Sequence, residues 1–123
     1  MSKLVRVYAK FFPCLTPKEI IDVVEAFQKK LLIIRGEMGK YTVIPSEKSE
    51  FLNIDLKAKM IDPFTRYGWA EKFGRISVIA TPEKDGSFVE VYTELWKSRE
   101  EFKNKLNNTV AEIIDLLERL RVW

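Results

Sequence analysis

The chain has 123 residues, of which 46% are hydrophobic and 32% charged, and this suits one soluble domain over residues 1–123 and excludes a disordered chain. Its 21 basic and 18 acidic residues are interleaved and leave a net charge of +3, which argues against nucleic acid as a partner. The absence of histidine excludes Ser-His and Cys-His catalysis and argues against a zinc site.

The first element is predicted to be a β-strand over residues 4–12. Apolar and polar residues alternate along it, and the apolar members are expected to face the core: Val5, Val7, Ala9 and Phe11. Cys14 follows as the single cysteine, so it excludes an internal disulfide and is expected to be a small buried residue. The N-terminus lacks the apolar core of a signal peptide and no apolar run is long enough to cross a membrane, so we expect a cytoplasmic protein.

A helix that ends near Lys30 is predicted next. Thr16 and Glu19 have the spacing of a capping box, and Pro17 suits the first helical position. Apolar residues then recur at helical spacing: Ile20, Val24, Phe27 and Leu31.

Two strands of a β-hairpin are predicted over residues 31–45, because Gly36 and Gly39 bracket a turn between apolar runs. A further strand over residues 51–61 shows clear alternation. Its inward side chains are expected to be Leu52, Ile54, Leu56, Ala58 and Met60.

Residues 63–74, PFTRYGWAEKFG, place four aromatic rings between two strands: Phe64, Tyr67, Trp69 and Phe73. Two interpretations stay open, since the rings can gate a binding cavity or can close one end of the core. Tyr67 and Trp69 are two residues apart, so part of the segment is predicted to be strand, with Gly74 at a bulge or bend.

The last two strands are predicted to form a hairpin around a two-residue Asp85-Gly86 turn. That turn would pair Ala80 with Val91 and Val78 with Thr93 on an apolar face. A long helix is then predicted from a second capping box, Ser98 with Glu101, to the C-terminus. Its apolar stripe consists of Phe102, Leu106, Val110, Ile113, Leu117 and Leu120.

This predicted order, β-α-β-β-β-β-β-α, resembles the helix-grip fold of the START-like (SRPBCC) superfamily. The resemblance implies an α+β domain in which a curved antiparallel sheet wraps around a long C-terminal helix and leaves a cavity between them. It implies a binding or carrier protein for a hydrophobic or aromatic small molecule, such as a lipid, with no cofactor. The residues expected to line the cavity and its mouth are Leu56, Ala58, Met60, Phe64, Tyr67, Trp69, Phe73, Val78, Val91, Thr93, Phe102, Leu106, Val110 and Ile113.

Other functions stay open. A cyclase-like or dehydratase-like enzyme of the same superfamily would need Asp, Glu or Tyr for acid–base chemistry, with Glu71 and Tyr67 as candidates, although no catalytic residue is predicted. An RNA-binding or scaffold module would use the face of the sheet opposite the apolar one, where polar and aromatic residues are mixed. The rings beside cations on this mixed face are Tyr8, Tyr92 and Trp96. The sequence also allows a homodimer, and its wealth of Lys, Arg and Glu is typical of thermophilic proteins.

Overall fold

Five strands and two helices make up the part of the fold that the structure describes. The computed structural model describes residues 3–35, 38–45 and 49–122, with those between 29 and 45 described by their backbone alone. The elements in chain order are β1 (Val5–Pro13), α1 (Pro17–Arg35), β2 (Met38–Pro45), β3 (Glu50–Ile61), β4 (Gly68–Glu83), β5 (Gly86–Leu95) and α2 (Glu100–Arg121). The architecture is therefore α+β, with a helix as the last element.

The strands form one open antiparallel sheet in the order β1-β5-β4-β3-β2. Both helices pack on the same face of this sheet, because their buried residues belong to one cluster with the inward residues of the strands. In the described part of the chain, the opposite face carries no helix. We call these two surfaces the covered face and the open face. Neither described helix combines the length and the apolar character needed to cross a membrane.

Helix α1 is longer than predicted, since it ends at Arg35 and not near Lys30. Its capping box is confirmed: the backbone N–H of Glu19 donates to Thr16 Oγ1 at 3.2 Å, and that of Thr16 donates to Glu19 Oε1 at 3.1 Å. The predicted hairpin over residues 31–45 is wrong, because residues 31–35 are helical and β2 pairs with β3. Leucines favour a helix and neither glycine nor proline interrupts it before residue 36. Five strands are thus described where six were predicted, and the turn predicted at Gly36 lies outside the described residues.

The prediction of which side chains of β1 point to the core is wrong. Tyr8 and Phe12 are buried on the covered face, whereas Val7 and Phe11 are about 40% exposed. A β-bulge causes the difference: Arg6 pairs with Tyr92, but Tyr8 pairs with the next residue of β5, Val91. One extra residue in a strand moves every later side chain to the other face.

Strand β3 has the predicted alternation. Leu52, Ile54, Leu56 and Ala58 are buried, and Met60 is half-buried against the same core. A bulge in β4 confirms the irregularity predicted at Gly74: Leu56 pairs with Gly74, whereas Lys57 pairs with Lys72. The extra residue, Phe73, is turned into the core.

The hairpin of β4 and β5 has the predicted faces but not the predicted register. Glu83 pairs with Gly86, so the turn consists of Lys84 and Asp85, and Val78 pairs with Val91. The register differs from the prediction by two residues, which preserves the face of every side chain. Asp85, the second residue of this turn, takes a left-handed backbone conformation, with φ 64°.

Helix α2 buries the predicted stripe, with Phe102, Leu106, Val110, Ile113 and Leu117 buried and Leu120 packed at its edge. The second capping box is wrong. The N-cap is Arg99, in extended conformation and without a side-chain cap. Glu101 pairs instead with Arg99, whose guanidinium lies 2.9 Å away.

Candidate functional site

Most of the predicted site residues lie in a packed core between the sheet and α2. This core contains Leu56, Ala58, Phe73, Val78, Val91, Phe102, Leu106, Val110 and Ile113, all at most 8% exposed. The rings of Phe73 and Phe102 stack with their centroids 4.6 Å apart and fill the space between β4 and the first turn of α2. Thr93 is half-buried on the same face.

The four rings of residues 63–74 divide into two groups. Phe73 is 1% exposed and closes the core, as one of the two interpretations requires. Phe64, Tyr67 and Trp69 are 94%, 67% and 40% exposed. The bulge before Gly74 separates the groups, because it turns Phe73 inward while the hairpin continues outward.

We call residues 61–70, at the end of the β3–β4 hairpin, the aromatic tip. Its loop is held by Asp62, whose carboxylate accepts the backbone N–H of Phe64 at 2.8 Å and of Thr65 at 3.4 Å. The carbonyl of Asp62 accepts the N–H of Arg66 at 2.9 Å, and its N–H donates to the carbonyl of Tyr67 at 2.8 Å. The N–H groups of Phe64 and Thr65 hold the pKa of Asp62 below its ordinary value. The loop therefore has a defined conformation that presents its rings outward.

Large apolar side chains cover this tip. The rings of Tyr67 and Trp69 stack with centroids 6.0 Å apart and an angle of 20° between their planes. Ile61, on the opposite strand, is 67% exposed. A contiguous exposed apolar patch of this kind is typical of an interaction surface.

A groove of about 290 Å³ lies along the two strands at the base of the tip. Its walls are mostly apolar and consist of Lys59, Met60, Ile61, Gly68, Trp69 and Ala70. Met60 connects this groove with the core, because it packs against the buried cluster and follows Leu56 and Ala58 on the same face of β3.

The sequence pointed to Met60 and Trp69 but missed the other four residues of the groove. They meet across the hairpin, where Ile61 pairs with Gly68 and Lys59 pairs with Ala70. The sequence contains the information that identifies them. The Asp62-Pro63 turn, together with the strand predicted at Tyr67 and Trp69, implies that the two strand ends beside this turn pair with each other.

Cys14 borders a second depression of about 480 Å³ beside the turn between β1 and α1. It was expected to be buried, but it is exposed. The buried position belongs to its neighbour Phe12, and Cys14 turns the chain with φ 64° while its N–H donates to the carbonyl of Asp85 at 2.9 Å. None of the predicted site residues borders this depression.

The two acid–base candidates have no environment suited to catalysis. Glu71 forms an ion pair with Lys97, and Tyr67 is exposed at the tip. Asp55 is the buried carboxylate of the open face, and it binds Arg75 at 2.6 Å and Lys72 at 3.4 Å. Burial opposes its ionisation, but the bonds and charges of Arg75 and Lys72 outweigh burial and lower the pKa of Asp55. A general acid at neutral pH needs a shift in the opposite direction.

This shift predicts that the protein is destabilised in acid. The folded-state pKa of Asp55 lies below that of the unfolded chain, about 3.9, so the pair stabilises the fold above that pH and less as the pH falls through the folded pKa. Asp55→Asn is expected to lower the free energy of unfolding by about 1–2 kcal/mol at neutral pH and to weaken its pH dependence below about pH 4. Urea unfolding across this pH range measures both effects.

Asp115→Asn is the matched control, because both partners of the Asp115–Arg119 pair are more than 60% exposed. Such surface pairs contribute little, so no more than a few tenths of a kcal/mol is expected. Equal losses in the two variants would contradict a special role for the buried pair.

Among the residues that the structure describes, the rings and cations of the open face are largely engaged within the chain. Tyr92 donates to Glu90 Oε2 at 2.8 Å, and Arg6 donates to the same oxygen at 3.1 Å. Arg75 lies 5.4 Å from the ring centre of Trp96. Tyr8, predicted on this face, lies on the covered face and donates to Glu118 of α2 at 2.6 Å. This arrangement favours a structural role for the rings that an RNA-binding module would use.

The groove and the tip thus offer apolar contact area, an indole ring and a few cations at one end of a hairpin. Comparisons of the chain with protein-family models, with curated proteins and with solved structures find no match, so the START-like resemblance stays a prediction from the order of the elements.

Proposed function

We propose that the protein binds a hydrophobic or aromatic small molecule in the groove at the base of the aromatic tip. The observation that carries this proposal is the groove itself: about 290 Å³ of mostly apolar space beside an exposed indole ring. Ligand sites usually combine apolar walls with a few polar groups, and here Lys59 supplies a cation at the edge.

The size of the groove limits the guest. Pockets for drug-sized ligands have volumes of roughly 300–1,000 Å³, so this groove lies at the lower end. We expect a guest of one or two fused rings, or a short segment of an acyl chain, that stacks on Trp69 and contacts Met60. A carboxylate on the guest would meet Lys59.

The buried residues predicted to line a cavity form, in this proposal, the wall behind the groove. Met60 is the link, since it lies next to Ala58 on the covered face of β3 and an unbranched thioether adapts its shape easily. Ala58 and Leu56 are at most 5% exposed, so a larger guest would reach them only if the core opened. The helix-grip arrangement belongs to the same proposal, with α2 as the helix that the sheet holds.

The test is a fluorescence titration with N-phenyl-1-naphthylamine, a neutral dye that brightens in apolar surroundings. Ala70→Phe puts a ring into the groove and is expected to weaken dye binding by about tenfold or more, because the dye loses buried contact area. Ala111→Phe makes the same change on the exposed side of α2 and is expected to bind the dye like the wild type.

Two results would overturn the proposal. The first is a wild-type protein that does not brighten the dye at all. The second is an Ala70→Phe variant that binds the dye as tightly as Ala111→Phe does, which would place the dye away from the groove.

A further inference from the structure

Some of the exposed apolar side chains of the aromatic tip lie outside the groove. Phe64 is 94% exposed and Ile61 and Tyr67 are each 67% exposed, and Phe64 and Tyr67 do not line the groove. Single exposed apolar residues are ordinary, but several at one end of a hairpin mark a surface that meets a partner. The hydrogen bonds of Asp62 already fix the loop, so docking would cost little ordering of its backbone.

The surroundings of the tip are basic. Residues 57–72 contain four cations, Lys57, Lys59, Arg66 and Lys72, and two carboxylates, Asp62 and Glu71, so this segment carries +2 of the net charge of +3. Both carboxylates are engaged, Asp62 with the loop N–H groups and Glu71 with Lys97, and among the cations Lys72 pairs with Asp55. The partner is therefore expected to combine an apolar interior with a negatively charged surface.

The backbone of the loop suits burial in an apolar partner. The N–H groups of Phe64, Thr65 and Arg66 are bonded to Asp62, and the N–H of Tyr67 donates to Thr65 Oγ1 at 3.3 Å. A loop that enters a lipid surface must satisfy its polar backbone groups internally, because water becomes scarce there.

We propose that the aromatic tip docks on the surface of an anionic lipid bilayer. Phe64 and Ile61 enter the headgroup boundary, and Tyr67 and Trp69 lie at the interface, where amphipathic rings are favoured. Lys59 and Arg66 meet the anionic headgroups, each adding a modest electrostatic attraction. Single-stranded nucleic acid fits the tip less well, because an aliphatic side chain such as Ile61 offers no ring for a base to stack on.

Docking on lipid goes beyond ligand binding, although Lys59, Ile61 and Trp69 take part in both. The dye groove requires space beside Ala70, whereas docking requires Phe64, which does not line that groove. The two proposals can therefore fail separately.

The experiment is sedimentation of the full chain with vesicles of phosphatidylcholine that contain roughly a third of phosphatidylserine, compared with vesicles of phosphatidylcholine alone. The wild type is expected to sediment with the anionic vesicles and to be released as salt is raised, since salt screens the attraction. Phe64→Ala is expected to weaken binding by about tenfold or more, because a largely exposed phenyl loses its contact with lipid. Phe11→Ala, on the open face at the other side of the sheet, is the matched control and is expected to bind like the wild type.

Trp69 gives a second measurement. In a Trp96→Phe and Trp123→Phe background it is the single tryptophan, and its emission is expected to shift to shorter wavelength with anionic vesicles. Lack of sedimentation by the wild type, or equal losses in Phe64→Ala and Phe11→Ala, would overturn the proposal, as would tighter binding to single-stranded RNA than to vesicles. Phe64→Ala is expected to lose the vesicles and keep the dye, because Phe64 does not line the groove, so that loss of one activity leaves the other proposal standing.

Discussion

Phe102→Ala is expected to lower the free energy of unfolding by about 3–5 kcal/mol. Phe102 is fully buried, its ring stacks on that of Phe73 at 4.6 Å, and the guanidinium of Arg99 lies 5.0 Å from its centre. Removal of the ring loses its transfer free energy and leaves a cavity that the bulge of β4 and the start of α2 cannot easily close. Urea unfolding followed by circular dichroism measures the loss.

Phe11→Ala is the control for this measurement. Phe11 is 38% exposed, so the same chemical change there is expected to cost much less. A loss below about 1 kcal/mol in Phe102→Ala would mean that its ring is not tightly packed. The space between the sheet and α2 would then be the ligand cavity that the START-like resemblance implies.

The same variant also probes ligand binding. An apolar cavity opened in a core stays dry and accepts small apolar molecules. We expect Phe102→Ala to bind benzene-sized guests in the core, whereas the wild type binds its guest in the groove. Addition of Ala70→Phe separates the two sites, since it blocks the groove and leaves the new cavity unchanged.

The sequence correctly predicts the features of this fold that depend on periodicity within a single helix or strand. The alternation of β3 and the apolar stripe of α2 both follow from residues at fixed spacing on one element, and both are confirmed. The bulge that moves Tyr8 to the covered face depends on how β1 pairs with β5, which no pattern within residues 4–12 contains. The extent of α1 was missed because apolar residues after Lys30 suit a strand or a helix equally well.

The candidate site was predicted in the same uneven way. The ring-rich segment singles out Phe64, Tyr67 and Trp69, but it allows a gate or a core plug, and their exposure follows only from the structure. The separation of Phe73 from them follows from a bulge that sequence reasoning located at Gly74 but could not orient. The groove depends on which residues of β3 and β4 face each other, so Gly68 and Ala70 acquire a role only once the register is known.

Gly86 has a different structural role from the predicted one. The sequence predicts Gly86 as the second residue of the turn, but the turn consists of Lys84 and Asp85, and Gly86 pairs with Pro13 of β1. A Cβ at Gly86 would lie 2.2 Å from the carbonyl oxygen of Phe12 and 2.8 Å from Cζ of Phe11. Glycine is therefore needed for the close approach of β1, since the nearest obstacle is backbone that cannot rotate away.

Gly86→Ala is accordingly expected to lower the free energy of unfolding by about 3 kcal/mol, because β1 must move away from β5 to admit the methyl group. The displacement would also strain the bond from Ser87 Oγ to the carbonyl of Leu15, now 2.6 Å, which ties β5 to the start of α1. Asp85→Gly is the matched variant, and since φ at Asp85 is 64°, it is expected to be neutral or slightly stabilising. If Asp85 and Gly86 formed the turn as first predicted, Gly86→Ala would cost only about 1 kcal/mol and leave β1 in place. Urea unfolding measures the cost, and amide hydrogen exchange along β1 shows whether that strand has moved.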